Sequence, residues 1–279
     1  MSLWSALIIG IVQGLFMFLP VSSTAHMTLT QHWLNRSGAE TLPPDHPEMI
    51  FVYLVAHLGT LISIAVVFWS SLWRFSLNVL QSVPNPSAVK QGLWWKLFWF
   101  GMFSVLVTGV VGLSLRAFAE EIFARTGTIA VTLIITGVLL FWSDKLPRRT
   151  KRLRDISWGT ASLIGLAQAI AFAPGISRSA MTMTAGLFTG LKRRWVAEYS
   201  FFLAIPTICA ISLVYGIELY RAGQWLENIS LMTLVVVFIA SALVGIVALW
   251  LVIKLLYRAQ LKVFAYYVWA LALALLLFW

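Results

Sequence analysis

Residues 13–26 read QGLFMFLPVSSTAH, and this stretch interrupts an apolar run that begins at Leu3. The run stops at Pro20 and is followed by three hydroxyl side chains and a histidine: Ser22, Ser23, Thr24 and His26. Polar side chains and irregular backbone are tolerated at membrane depth only where protein or a water-filled cavity surrounds them. The stretch therefore predicts a functional site inside a membrane protein.

A second stretch, GLAQAIAFAPGISRSAMT at 165–182, follows the same order of residue types. In both places a glycine, two apolar residues and a glutamine precede an apolar run, a proline and hydroxyl side chains. Gly10 and Pro20 are ten residues apart, and Gly165 and Pro174 are nine residues apart. Two such elements in the two halves of a membrane protein predict an internal repeat with a binding site between its copies.

The composition excludes an ordinary soluble domain. Of the 279 residues, 60% are hydrophobic and 11% are charged, which indicates a polytopic helical membrane protein. The net charge of +10 comes from basic residues in short loops, and the positive-inside rule explains these without a nucleic-acid partner. The single cysteine, Cys209, lies in an apolar run, so a disulfide within the chain and a cysteine metal site are excluded.

Six apolar segments are predicted to span the membrane: 49–69, 97–115, 128–142, 196–219, 229–253 and 263–279. The loops at 72–96 and 143–156 are rich in basic residues and are predicted to be cytoplasmic, whereas those at 35–48 and 116–126 balance bases with acids and are predicted to be external.

The segments 3–34 and 157–191 are each predicted to be a re-entrant helical hairpin. The part after Pro20 is too short to cross the membrane, and basic residues flank the second segment on both sides. The predicted fold is thus an all-α polytopic membrane protein with six transmembrane helices and two re-entrant hairpins. Residues 1–279 form a single membrane domain, with a first repeat at 1–143 and a second, inverted repeat at 157–279, because each repeat holds an odd number of spans.

The two hairpin tips predict an anion site. Helix N-termini attract anions, and Arg178 is the only basic residue predicted at membrane depth, so it is a candidate phosphate clamp. Its neighbours Ser177, Ser179 and Thr182 would add hydrogen-bond donors. The hydroxyls of the first tip could serve as donors or nucleophiles. His26 could serve as a general acid or base. The pattern is typical of phosphoryl transfer or phosphate-ester hydrolysis.

Structural roles for the same residues remain open alternatives. Serine and threonine in membrane helices often bond a carbonyl one turn earlier, His26 or His57 could be core residues, and Arg178 could extend to the cytoplasmic surface. Glu198 is predicted to pair with Arg193 or Arg194.

The motifs QGLxxFLPVSSTAH and PGISRSxxT resemble the two signature motifs of the undecaprenyl pyrophosphate phosphatase family, the integral-membrane bacitracin-resistance proteins. The segments HLGT at 57–60 and AEYSFFLAIP at 197–206 are also similar to that family. The resemblance implies a multi-pass protein of the bacterial inner membrane that removes the terminal phosphate of undecaprenyl pyrophosphate and regenerates the lipid carrier of cell-wall synthesis. It gives Ser23 the place of the nucleophile, His26 that of the base or acid, and Arg178 that of the phosphate clamp.

The first motif departs from the family pattern at one position. The family carries a glutamate or glutamine, three residues and then a glutamate; Gln13 fits the first position, but Met17 occupies the second. The resemblance also implies a divalent cation, Mg²⁺ or Ca²⁺, yet a thioether is a poor ligand for a hard cation and does not accept a proton. We therefore expect weak or absent hydrolysis and retained binding of a polyprenyl phosphate or pyrophosphate.

The sequence also predicts the substrate-binding residues, an alternative function and an option for the assembly. The expected substrate-binding residues are Gln13, Ser22, Thr24, Ser177, Ser179 and Thr182. A polyprenyl-phosphate transporter on the same scaffold is the alternative function, because paired hairpins in inverted repeats also occur in transporters. A homodimer is one option for the assembly.

Overall fold

The computed structural model describes residues 1–43, 46–82, 92–123, 126–147, 149–173, 175–221, 226–258 and 260–278. Pro174 of the second tip and residues 84–86 of the predicted basic loop lie outside the described residues. The described residues form α-helices joined by turns and one short 3₁₀ helix. In chain order, the α-helices are α1 (Leu3–Phe16), α2 (Ser23–Arg36), α3 (Pro47–Val67), α4 (Trp69–Ser82), α5 (Leu93–Phe123), α6 (Thr126–Lys145), α7 (Trp158–Ile170), α8 (Arg178–Phe188), α9 (Arg193–Arg221), α10 (Leu231–Arg258) and α11 (Lys262–Phe278).

The polytopic helical class predicted from composition is confirmed. Among the described residues, five helices, α3, α5, α6, α9 and α10, are long and apolar enough to cross a membrane, and α11 is a shorter apolar helix of 17 residues. Their outer faces carry exposed leucines such as Leu106, Leu213 and Leu243, as expected of surfaces that contact lipid. The count of six spans and the re-entrant path of the hairpins remain predictions.

Two segments predicted as loops are helical. The described part of the predicted loop 72–96 is occupied by α4 and the start of α5, and α5 continues to Phe123 through most of the predicted loop 116–126. Leu72, Phe75 and Val79 on α4 are half-buried and recur at helical spacing, and the Phe75 ring packs edge-on against Trp94 of α5. The loop prediction was wrong because loop charge reports the side of the membrane and not the backbone conformation.

Each hairpin packs against a long helix from the opposite half of the chain. On α1, Gly10 faces α10 so closely that an added Cβ would lie 2.8 Å from the Ala240 side chain. On α7, Gly165 faces α5, where an added Cβ would lie 2.7 Å from the Ser104 carbonyl oxygen. Small residues permit such close helix approach in membranes, and they fix both hairpins in the helical core. The inverted relation of the two repeats remains a prediction that this exchange supports.

Acidic side chains near two helix termini accept hydrogen bonds from distant parts of the chain. Asp144 at the end of α6 accepts hydrogen bonds from the Arg193 side chain and, at 2.8 Å, from the Lys262 backbone amide. Glu48 at the start of α3 accepts a hydrogen bond of 3.0 Å from the Asn228 backbone amide. The predicted pairing of Glu198 is confirmed, since it contacts Arg194 at 3.0 Å.

Candidate functional site

The first tip lies between α1 and α2 and is held by buried apolar residues. Helix α1 ends at Phe16 because Pro20 disfavours helical backbone in the residues before it. Phe18 is fully buried and packs edge-on against Phe201 of α9 at 6.0 Å between ring centroids. Ser22 then adopts φ +68°, which is uncommon for a non-glycine residue, and its Oγ accepts a hydrogen bond from the Ala25 amide at the start of α2.

The second tip lies between α7 and α8 and is anchored to α6. Gly175 has φ +89°, and a side chain there would collide with Thr132, so glycine is required on both counts. Thr136 donates a hydrogen bond of 3.1 Å to the Gly175 carbonyl and accepts one of 3.3 Å from the Ser177 amide. Ser177 caps α8 by accepting a hydrogen bond from the Ala180 amide. Arg178 is thereby fixed as the first residue of α8.

The two tips meet in one cavity, which confirms that prediction. Ser179 of the second tip donates a hydrogen bond of 3.1 Å to the Leu19 carbonyl of the first tip. The cavity has a volume of about 200 Å³, and its polar wall consists of Ser22, Ser23, Thr24, His57, Ser177, Arg178, Ser179 and Thr207. Its apolar wall includes Met17, Leu19, Leu54, Phe172, Ile208 and Ile211. The hydroxyl clusters and Arg178 thus line the same cavity, and their roles in binding or catalysis remain predictions.

The cavity has a positive electrostatic character. Arg178 is half-buried, and the only hydrogen bond of its guanidinium among the described residues is a contact of 3.4 Å with the Ser200 carbonyl. No aspartate or glutamate is found among the described residues that line the cavity. Helices α2 and α8 both begin at this cavity, so their N-terminal dipoles add to the charge of Arg178. An anion with several oxygen acceptors is the ligand that this arrangement stabilises.

Three of the predicted site residues lie behind the cavity wall. Thr182 donates a hydrogen bond of 2.9 Å to the Arg178 carbonyl and also contacts the Ser200 hydroxyl, so it supports the start of α8. Gln13 is fully buried, and its amide nitrogen lies 3.3 Å from the sulfur of Met17. His26 is also absent from the described lining residues. Direct contact of these three with substrate remains a prediction.

His26 is fixed by hydrogen bonds at both ring nitrogens. Its Nδ1 lies 2.7 Å from the Ser22 carbonyl oxygen, and its Nε2 lies 2.8 Å from the Tyr267 hydroxyl on α11. Phe16 stacks on the ring at 3.9 Å between centroids. These contacts join the first tip to α1 and α11, and the role of His26 as acid or base remains a prediction from resemblance.

Sequence reasoning left His57 between a core role and a site role, and the structure places its side chain in the cavity wall. Its Nδ1 lies 2.7 Å from the Tyr53 carbonyl one turn earlier on α3. Thr207 was not identified from the sequence; it follows Pro206 within α9 and accepts a hydrogen bond of 2.9 Å from Gln168. The correspondence between Gln13 and Gln168 was the signal that could have led to it.

Met17 lies beside the first tip, one helical turn after Gln13, whose amide nitrogen contacts its sulfur. The Ser23 hydroxyl lies 3.9 Å from the Met17 sulfur, which is a weak contact. Hard divalent cations are held mainly by carboxylate and carbonyl oxygens. With a thioether at this position and no carboxylate among the described lining residues, the side chains present do not fit a Mg²⁺ or Ca²⁺ site.

Comparison with known proteins supports the sequence resemblance. A family model described as bacitracin resistance protein BacA matches residues 6–274. An undecaprenyl-diphosphatase of Alkalilimnicola ehrlichii is 57% identical over 280 residues, which cover 99% of this chain and 96% of that protein. Proteins of the same name from Halorhodospira halophila and Moorella thermoacetica are 57% and 34% identical, with coverage of 100% of this chain and 98% and 99% of the respective relatives. The chain therefore belongs to the bacitracin resistance protein BacA family.

Proposed function

We propose that this chain is an undecaprenyl-diphosphatase of the bacterial inner membrane. It removes the terminal phosphate of undecaprenyl diphosphate, slowly because Met17 supplies no carboxylate, and leaves undecaprenyl phosphate for reuse as a carrier in cell-wall synthesis. The observation that carries the proposal is Arg178, a half-buried guanidinium without an acidic partner among the described residues, in a cavity where two helices begin. The names of the relatives, which match along nearly the whole chain, support the same function.

The cavity is suited to the head group of such a lipid and not to its chain. A volume of about 200 Å³ is below the roughly 300–1,000 Å³ of common ligand pockets, so the prenyl chain must extend out of it. Leu54, Phe172, Ile208 and Ile211 form an apolar wall on which the first part of that chain can lie. The terminal phosphate then faces Arg178 and the two helix N-termini.

Ser23 is the nucleophile of the proposed reaction. Its hydroxyl lines the cavity at the start of α2 and, among the described residues, has only the Met17 sulfur as a weak partner. Attack on the terminal phosphorus spreads negative charge over the equatorial oxygens. Arg178 and the amide groups at the helix N-termini are donors that stabilise this charge in the transition state.

Phosphate release from undecaprenyl diphosphate in detergent tests the function. The unaltered chain, Arg178→Ala and the charge control Lys254→Ala are compared at equal protein concentration. Lys254 is exposed and lies over the Trp250 ring on α10, so its removal lowers the net charge equally without changing the cavity. Release by the unaltered chain and the control but not by Arg178→Ala is expected; release no faster than that of Arg178→Ala would contradict the proposed hydrolysis.

Transport of a polyprenyl phosphate is a second candidate, favoured by the exchange of hairpins between the two halves. Gly10 on α1 contacts α10 and Gly165 on α7 contacts α5, and such interleaved halves with a central site are typical of transporters. Movement of a fluorescent short-chain polyprenyl phosphate across liposomes, measured with and without the protein, tests it. Native mass spectrometry of the same preparation tests the homodimer option.

A further inference from the structure

Hydrolysis through Ser23 requires a group that accepts the hydroxyl proton. The described lining residues include no carboxylate, and the side chain that Ser23 contacts is the thioether of Met17. Two histidines are candidates for this role: His26, which contacts Ser22, and His57, which lines the same cavity as Ser23. The two histidines differ in the hydrogen bonds that their ring nitrogens make.

His26 has no free lone pair in the neutral ring. The Ser22 carbonyl can only accept a hydrogen bond, so Nδ1 carries the hydrogen of the ring. Nε2 is then the acceptor, and the Tyr267 hydroxyl at 2.8 Å occupies it. The ring is also stacked on Phe16. These contacts suit a residue that positions the first tip.

His57 has the opposite arrangement. The Tyr53 carbonyl likewise fixes the hydrogen on Nδ1, but Nε2 has no hydrogen-bond partner among the described residues. The ring lines the same cavity as Ser23 and Arg178. Six residues after His57, Ser63 attaches α3 to α10 by donating a hydrogen bond of 2.8 Å to the Ala242 carbonyl.

We propose that His57 is the general base that activates Ser23, a role that rests on the hydrolysis proposed above. Nε2 takes the hydroxyl proton while Oγ forms a bond to the terminal phosphorus. The bond from that phosphorus to the bridging oxygen breaks, its electron pair remains on the bridging oxygen, and His57 returns the proton as polyprenyl phosphate leaves. Water then attacks the phosphoserine, His57 takes a proton from the water, and Ser23 Oγ regains that proton as inorganic phosphate departs.

The experiment removes the ring and replaces it with a small molecule. His57→Ala should lower the turnover rate of phosphate release by about 100-fold or more, the usual contribution of a general base. Imidazole added to this variant should restore part of the rate, whereas pyrazole, a ring of similar shape that is a much weaker base, should not. His57→Gln should be slow and insensitive to imidazole if the amide fills the space. His32→Ala, on α2 and outside the described lining, is the matched control and should keep the parent rate.

The possible outcomes distinguish a general base at His57 from a residue that only packs. A rate for His57→Ala within about threefold of the parent, far from the loss expected of a general base, would overturn the proposal. Equal effects of imidazole and pyrazole, or no effect of either, would also overturn it, because the residue would then act through packing. Absence of phosphate release from the unaltered chain would instead refute the proposed hydrolysis, and the base role with it.

Discussion

Replacement of Arg178 by methionine should weaken binding of a pyrophosphate lipid by about 150-fold. Removal of one partner from a buried charge pair costs ~3–5 kcal/mol, and the lower value applies because Arg178 is half-buried. A loss of about 3 kcal/mol corresponds to the stated factor. Arg178→Lys keeps the charge but loses one of two parallel hydrogen bonds, worth about 1.5 kcal/mol, so it should cost roughly tenfold.

Arg178→Met should not destabilise the ligand-free protein. Without ligand, the guanidinium has a single long contact with the Ser200 carbonyl and no acid beside it among the described residues. Replacement of an uncompensated charge by an apolar side chain of similar length is usually neutral or favourable. The melting temperature of ligand-free Arg178→Met should therefore equal or exceed that of the parent.

One assay measures both the affinity for the lipid and the melting temperature of the ligand-free protein. A pyrophosphate lipid with a methylene bridge, which cannot be hydrolysed, is titrated in detergent while thermal unfolding is recorded. At a ligand concentration of 100 times Kd, the parent should gain about 2.7 kcal/mol of stability, and Arg178→Met should gain almost none at the same concentration. Lys254→Met, which removes an exposed positive charge from α10, is the control and should behave as the parent. Binding by Arg178→Met within about threefold of the parent, against the large loss expected for a charge pair, would refute the reasoning.

Three further changes test other parts of the molecule. In the His57→Ala background, Met17→Glu should raise phosphate release about 100-fold, because a carboxylate there can accept the proton of Ser23 in place of the missing imidazole. An unchanged rate would show that the side chain at this position only fills space. Gly175→Ala should lower the melting temperature by about 2–8 °C, since φ there is +89°. Gly101→Ala, with nothing within 4 Å of an added Cβ, is its control, and equal melting temperatures for the two variants would contradict the strain argument. Asp144→Asn should lower the melting temperature by about 2–4 °C, since it weakens hydrogen bonds to two other helices, and should leave phosphate release at 25 °C unchanged. A fall in release without a fall in melting temperature would contradict this purely structural role.

The two helix breaks and the cavity that their tips share were predictable because their signals are local. Pro20 follows the end of α1, serines cap the starts of α2 and α8, and Arg178 stands out as a charge in an apolar segment. Helix α4 was missed because its polar and basic residues resemble a loop when only charge is considered. Its apolar positions, half-buried against α5, became clear only with the neighbouring helix in place.

The roles of the two histidines could not be separated by sequence. The hydrogen bond that occupies His26 Nε2 comes from Tyr267, 241 residues later in the chain. No residue near His26 in the sequence predicts this contact. Nε2 of His57 has no partner within the described part of the chain, and this too is a consequence of tertiary packing, since Nδ1 is satisfied by its own helix.

The exchange of hairpins also governs when the protein can assemble during synthesis. Gly10 packs against Ala240, so at roughly 5–20 residues per second the ribosome needs about 10–50 s to supply the partner of α1. Until then α1, a helix of 14 residues and about 21 Å, is too short to cross a hydrocarbon layer of about 30 Å. Helix α1 is therefore made long before the helix that packs against it, and a pause before α10 leaves Gly10 without the helix that it contacts.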